Sequence, residues 1–251
     1  MITPLKDYRL TWQKKPVLRV VYSDFFDRIA LRCGPGPTLE IGGGIGNSKD
    51  QLPGLLIGDV QYAPWLDLVA DAQRLPFAEG VLGNLVMLDV LHHLEFPILF
   101  FREAARTLRP SGRIVMIEPA ITWGSYLFYR LMHHEPTDMT VDPLVEGTPD
   151  SKRNPYDSNQ ALPTLIATKY RNQFHRLIPD LQIIETSWFS FFAYPLSGGF
   201  KRWSLMPRWL APPILRWEKA LESVGAFFAF RLLITIEKRA GVLRPDPHRP
   251  P

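Results

Sequence analysis

The sequence predicts an α/β fold, a doubly wound, mainly parallel seven-stranded sheet with helices on both faces and a cap inserted after the fifth strand. Three observations carry this expectation. Short apolar runs alternate with helix-patterned stretches across residues 20–120, the rhythm of parallel strands joined by crossover helices. The first run opens directly into four glycines within five positions, Gly42, Gly43, Gly44 and Gly46. Acids then end the following runs at Asp59, Asp71 and Asp89, the rim where such sheets bind ligands.

Taken in order, Val17, Leu18, Val20, Val21, Phe25, Phe26 and Ile29 recur at helical spacing between Trp12 and Arg32, and Gly34-Pro35-Gly36-Pro37 stops that helix. Thr38–Ile41 reads as a short buried strand, Asn47–Leu52 as a helical turn, and Leu55–Asp59 and Leu66–Ala70 as the second and third strands. Val81–Leu88 is a fourth strand. Phe96–Leu108 is a helix with Phe100, Phe101, Ala104, Ala105 and Leu108 inward, closed by Arg109-Pro110-Ser111-Gly112 before a fifth strand at Arg113–Ile117. After Pro119 the rhythm breaks, and residues 120–165, rich in Pro, His, Asp and Asn, read as a mobile cap over the pocket. Ala161–Ile178 is helical again. Leu181–Ser187 and Phe230–Lys238 are two late strands flanking an aromatic, Pro-punctuated segment and a helix at Ile214–Val224. The chain, 1–251, is thus read as one domain, with a core at 20–120, the cap at 120–165, C-terminal strands with an aromatic and basic segment at 180–240, and a frayed tail from Gly241.

Composition bounds the function. A 46% hydrophobic and 22% charged chain is that of an ordinary globular protein. A net charge of +4, with the basic residues scattered, argues against nucleic acid as a partner. The single Cys33 excludes an intramolecular disulfide and fits a reducing compartment. No signal-peptide core is visible, and no uncharged apolar run reaches the roughly 18–20 residues of a spanning helix. The expectation is a soluble, cytoplasmic protein able to lie peripherally against a membrane.

The glycine loop decides between ligand classes. A dinucleotide-binding turn wants G-x-G-x-x-G, which from Gly42 and Gly44 would place the third glycine at position 47, where Asn47 stands. The pattern is instead E-x-G-x-G-x-G, led by Glu40. Together with Asp59 closing the second strand, A-D-A-Q-R-L-P-F around Asp71, L-D-V-L-H-H-L after the fourth strand and L-R-P-S-G-R-I-V-M-I-E-P around the fifth, this spacing resembles the class I S-adenosylmethionine-dependent methyltransferases, type 11-like. The resemblance covers residues 20–120 and implies a Rossmann-like fold with S-adenosylmethionine as cofactor. It further implies that Glu40, Gly42, Gly43 and Gly44 meet the methionine end and that Asp59 with Val60 meets the ribose hydroxyls. Asp71 and Ala72 would meet the adenine, and Asp89 and Val90 would lie on the same site. The chemistry agrees: an ammonium and a sulfonium favour carbonyls and a carboxylate, and a ribose diol suits a carboxylate acceptor.

Candidate groups for the chemistry are His93, after the fourth strand beside His92, and His133, His134 and Glu135 in the cap. No metal is expected, because the H-H-E-x-x-D spacing matches no metal signature and Pro136 interrupts any helix presenting it. The expected activity is methyl transfer to a small-molecule or a lipid- or glycan-linked acceptor, with O-methylation favoured. An NAD(P)-dependent oxidoreductase on a similar fold is the alternative, disfavoured by Asn47 and Asp71-Ala72; a non-catalytic cofactor-binding domain is another. The D-V-L-H stretch after the fourth strand replaces the N-P-P-Y type tetrapeptide of nucleic-acid amino-methylating enzymes. Finally, Trp188, Phe189, Phe191, Phe192, Tyr194, Phe200, Trp203 and Trp209 interleave with Lys201, Arg202 and Arg208. Some of these rings belong to the core. Part of Phe200–Leu210 is expected to be exposed, so that the region 188–217 offers peripheral contact to a lipid-like acceptor or an anionic bilayer.

Overall fold

The computed structural model of the chain describes residues 4–52, 54–132 and 135–240. Two helices, α1 (Pro4–Lys14) and α2 (Pro16–Ala30), open the chain. Each starts on a proline, whose missing N–H costs nothing in a first turn. Strands β1 (Thr38–Ile41), β2 (Leu56–Asp59), β3 (Leu68–Val69) and β4 (Leu82–Leu88) follow. Next come α3 (Pro97–Thr107), β5 (Leu108–Pro119) and α4 (Trp123–Met132). The chain continues through α5 (Leu162–Ala167), α6 (Arg171–Leu177) and β6 (Leu181–Phe189). It then passes α7 (Ala193–Ser197), α8 (Ala211–Leu221) and α9 (Gly225–Phe228) before β7 (Arg231–Lys238).

The seven strands form one sheet in the order β3-β2-β1-β4-β5-β7-β6. The first five pair in parallel, while β7 is antiparallel to both β5 and β6. The chain leaves β1 toward β2 on one side and returns as β4 on the other. That topological switch point places a crevice at the carboxyl ends of β1 and β4.

Both faces of the sheet are buried, and strand periodicity divides the side chains between two cores. Leu85, Met87, Ile114, Met116, Ile234 and Ile236 face Phe100, Phe101 and Ala104 of α3 and Phe174 of α6. Val86, Val115, Ile117 and Leu233 face Val21, Phe25, Phe26 and Ile29 of α2 and Leu215 of α8.

Several predicted bounds change. The third strand shrinks from Leu66–Ala70 to the two residues of β3 at the sheet edge. Arg109-Pro110-Ser111-Gly112 does not separate helix from strand: α3 runs straight into β5, with a register shift between Leu82 and Asn84 absorbing the irregularity. The helix predicted at Ala161–Ile178 is two, because Thr168 (φ −119°, ψ −91°) leaves the helical region and the Tyr170 N–H turns back to the Leu165 carbonyl. The helix predicted at Ile214–Val224 begins earlier, at Ala211, and ends in a 3-10 turn. Among the described residues four helices were not predicted: α1, α4 inside the region read as irregular cap, α7 inside the aromatic segment, and the short α9. The predicted frayed tail lies outside the described residues.

The aromatic segment divides as its breakers require. Phe189 and Phe191 are buried and Tyr194 and Phe200 pack on α2, whereas Trp203 and Trp209 are 45% and 75% exposed. Lys15, buried at the α1–α2 junction, holds this segment: its ammonium donates to the carbonyls of Gly199, Lys201 and Trp203 at 2.7, 2.8 and 2.8 Å. Among the described residues no helix is long and apolar enough to cross a membrane.

Candidate functional site

One cavity of about 1060 Å³ opens at the carboxyl ends of β1, β2 and β4. Its lining includes Glu40, Gly42, Gly43, Gly44, Asp59, Val60, Asp71, Ala72, Asp89, Val90, His93 and Glu135. The described residues among those predicted are therefore all brought together, although they come from five separate stretches of chain. His133 and His134 lie outside the described residues.

The glycine loop is shaped by its own neighbours as much as by a ligand. Gly42 has φ +71°, and a Cβ there would lie 2.3 Å from Val90 Cγ2. A Cβ on Gly43 would lie 2.0 Å from Ile57 Cγ2, and the Gly43 N–H donates to the Gly58 carbonyl at 3.0 Å. Both glycines let the loop sit down on β2 and the β4 turn.

Asp59, 7% exposed, ends β2 with its carboxylate among backbone donors. Oδ2 accepts the Gly44 N–H at 3.0 Å and Oδ1 accepts the Gln61 N–H at 2.8 Å. Burial raises its pKa from the ordinary value, against these hydrogen bonds, which lower it. Asp71 caps a tight turn through the Gln73 N–H at 2.8 Å. Glu40 is 3% exposed. Burial pushes its carboxyl up to about 7, opposed by the hydrogen bond from the Ser48 hydroxyl and aided by the nearby charge of Asp59.

Beyond the glycine loop lies a buried polar cluster that the sequence did not reveal. Glu118, at the end of β5 and fully buried, accepts the N–H groups of Val90 and Leu91 at 2.9 and 2.7 Å, and its Oε2 lies 2.7 Å from His92 Nδ1. Burial acts to lower the His92 pKa, but the bond and charge of Glu118 outweigh it and raise it. Burial and the neighbouring His92 lower that of His93. The two rings lie 4.1 Å apart, and Glu135 Oε2 lies 3.7 Å from His92 Nε2 and accepts from Gln160 Nε2 at 2.8 Å. His92 is thus an anchor in the wall and His93 the half-buried ring beside the cavity.

Two trios bring possible ligand atoms within 4.8 Å of one another: His92, His93 and Glu135, and Asp89, His92 and Glu118. His92 belongs to both. The bond and charge of Glu118 raise its pKa, which works against the neutral imidazole that a metal ligand must be.

Aromatic rings form one further part of the cavity's lining. Tyr22, Phe128, Tyr129, Tyr194 and Phe230 line it, as do Leu5 and Tyr8 of α1. Arg231 is 2% exposed, pairs with Asp89 and lies with its guanidinium 4.0 Å from the Tyr194 ring. Burial drives the Tyr22 and Tyr194 hydroxyls above their ordinary pKa. The predicted cap also reaches the site: residues 149–156 contribute to the lining, and the Tyr156 hydroxyl lies 3.2 Å from Gln61 Nε2, across from β2. Arg153 Nη1 donates to the His93 carbonyl at 2.6 Å. Tyr22 and Arg231 lie in regular helix and strand patterns with no motif around them, whereas Glu118 is the acid of the stretch L-R-P-S-G-R-I-V-M-I-E-P, whose part in the site no local pattern showed.

The family model described as a methyltransferase domain matches residues 40–116. A search of curated proteins found no match. A SAM dependent methyltransferase from Archaeoglobus fulgidus superposes with a TM-score of 0.51 at 13% identity, over 88% of this chain and 94% of that one. The [4+2]-cyclase SpnF gives 0.49 at 15% identity, over 87% and 82%. Geranyl diphosphate C-methyltransferase from Streptomyces coelicolor A3(2) gives 0.44 at 12% identity, over 86% and 79%. The matched segment runs from β1 into β5, so residues 40–116 carry a methyltransferase domain, and the fold around it is that of S-adenosylmethionine-dependent methyltransferases.

Proposed function

We propose that the protein transfers a methyl group from S-adenosylmethionine to a small-molecule or lipid-linked acceptor, with an oxygen atom favoured as acceptor. The observation that carries this reading is the continuity of one cavity from the glycine loop and Asp59 to an aromatic chamber bearing His93 and Glu135. In this reading Glu40 and the backbone of Gly42, Gly43 and Gly44 hold the methionine end. Asp59 with Val60 takes the ribose, Asp71 and Ala72 the adenine, and Asp89 with Val90 closes the β4 side. The cofactor supplies an electrophilic methyl group on a sulfonium.

The chain's own residues supply position and proton uptake. The rings of Tyr22, Phe128, Tyr129, Tyr194 and Phe230 exclude water and hold an apolar acceptor. His93, its pKa lowered by burial and by His92, takes the acceptor hydroxyl's proton, and Glu135, His133 and His134 are assigned to the same step. The chain is one domain in this reading, and residues 120–165 cap the cavity. The region 188–217 contacts a membrane peripherally.

Calorimetric titration with S-adenosylhomocysteine and with NAD, followed by a methyl-release assay on hydroxylated acceptors, tests the reading. Binding of S-adenosylhomocysteine alone and an O-methylated product are expected. NAD binding, or a product methylated on carbon or nitrogen, would overturn it in whole or in part.

Two further outcomes follow from this assignment. Asp59→Ala is expected to weaken S-adenosylhomocysteine binding by about 1.5–3 kcal/mol, the range for a lost hydrogen bond to a charged group. The same titration checks it, and an unchanged affinity removes Asp59 from the ribose. Glu40 predicts a pH dependence. Its carboxyl ionises only near 7 in the protein without ligand, and the ligand's ammonium favours the ionised form. Affinity should therefore rise with pH up to about 7 and level off above it, and Glu40→Gln should flatten the profile. Titrations at several pH values measure it.

A further inference from the structure

We propose that the outer face of α4 and α9, continued by the end of α8, docks on an anionic lipid bilayer. On α4, Trp123, Leu127 and Leu131 are 89%, 61% and 70% exposed and recur at intervals of four, so they form one stripe. The other side of the same helix is also committed, with Ser125 and Tyr129 buried and Phe128 lining the cavity. A helix of a globular protein ordinarily turns its apolar stripe inward and a polar face outward. This one is apolar on both.

The stripe does not end with α4. A Cβ on Gly124 would lie 3.1 Å from Phe228 Cδ1 and 3.2 Å from its Cα, so α9 abuts α4 beside Trp123. Phe227 and Phe228 are 60% and 57% exposed there. Val224 and Trp217 of α8 are 42% and 57% exposed, the latter 5.7 Å from the Phe192 ring. Large apolar side chains in continuous array on a surface mark a contact rather than chance exposure.

Charge decides what the contact is. Exposed Arg130 lies within the α4 stripe, and exposed Arg216 beside Trp217; neither forms an ion pair among the described residues. Trp123–Met132 holds no acid. Between residues 190 and 230 the only acids are Glu218 and Glu222. Glu218 is buried, accepting the N–H groups of Phe191 and Ala193, and Glu222 is bound to Arg28 at 2.7 Å. The uncompensated charge on the face is therefore positive. It would repel a second copy docked on the same face and attracts anionic headgroups, while Trp and Phe side chains suit the headgroup boundary.

The face also bears on the acceptor. Phe128 and Tyr129 of α4, and Phe230 directly after α9, line the cavity, so these elements are the wall between it and the docked surface. Docking there would bring a lipid-linked acceptor beside the cavity. The choice of acceptor rests on the methyltransferase reading above; the docking does not.

The test is co-sedimentation of the full chain with phosphatidylglycerol and with phosphatidylcholine vesicles at low salt. A Leu127→Glu/Phe227→Glu double variant is run beside it, with thermal melting and S-adenosylhomocysteine titration of both proteins. Wild type is expected to sediment with phosphatidylglycerol and much less with phosphatidylcholine. The variant should lose about tenfold or more of that binding with its melting midpoint and ligand affinity unchanged, because both positions are already exposed. No binding by wild type, equal binding by the folded variant, or a concentration-dependent dimer abolished by the substitutions in place of vesicle binding would overturn the proposal. Vesicle binding by a protein that does not bind S-adenosylhomocysteine would sustain the docking and sink the enzymatic reading instead.

Discussion

Glu118→Leu is expected to cost about 3–5 kcal/mol of folding stability, the range for stripping one partner from a buried ion pair. The carboxylate has no access to water, and all its interactions are protein ones: the N–H groups of Val90 and Leu91 and the His92 ring. Removing it leaves two backbone donors and a histidine in a low-dielectric site without compensation. For a chain of this size such a loss lowers the melting midpoint by roughly 10 °C. The same turn carries Asp89 and Val90 into the cavity, so S-adenosylhomocysteine affinity should fall with it. Glu118→Gln keeps an acceptor and the shape, and should lose clearly less.

The effect also has a pH signature. Glu118 is lowered below its ordinary value of 4.5: burial opposes this, and the His92 bond and charge outweigh it. Its contribution is therefore present above that value and lost as pH falls through the folded pKa. His92 is raised above 6.5, so its contribution is present below that value and lost as pH rises through the folded pKa. The stability difference between wild type and Glu118→Leu should be widest between pH 4.5 and 6.5. Melting curves across that window check it. A difference that does not vary with pH would mean that the His92–Glu118 pair is not ionised as described.

Arg231→Met is expected to be nearly as damaging, at about 2–4 kcal/mol. The guanidinium is buried against Tyr194 and paired with Asp89, which stands at φ +60° just after β4. The substitution removes a cation from the tyrosine face and strands the Asp89 carboxylate. That side chain keeps 26% exposure, so water relieves part of the cost. Arg231→Lys should recover little, since an ammonium cannot reproduce the planar contact. The measurement is a double-mutant cycle with Asp89→Asn, read by thermal melting and S-adenosylhomocysteine titration. The double variant should be more stable than the sum of the single losses predicts. Strict additivity would show that the pair contributes nothing as a pair.

Much of this architecture was legible along the chain because its determinants are local. A parallel strand buried on both faces must be a short apolar run, as at Val86 to Leu88 and Ile114 to Ile117, and its ligand-facing end must turn on glycine or an acid. Gly42 to Gly44, Asp59, Asp71 and Asp89 therefore stood out in order, and the structure gathers them around one cavity. The resemblance they carry pointed to the cofactor before any contact was known.

What the tertiary structure decided are the properties that depend on partners distant in sequence. Glu118 is an ordinary strand-end acid until β5 places it 2.7 Å from a histidine 26 residues earlier. Arg231 is an ordinary strand residue until β7 inserts antiparallel beside β5 and brings it to Asp89. The burial of Glu40 sets the pH at which it ionises, and burial is a property of the whole packed sheet rather than of any motif. The side of α4 that faces solvent followed the same logic. Both of its faces are apolar, so periodicity could not orient it; the burial of Ser125 and Tyr129, with α9 packed at Gly124, turns Trp123 and Leu127 outward.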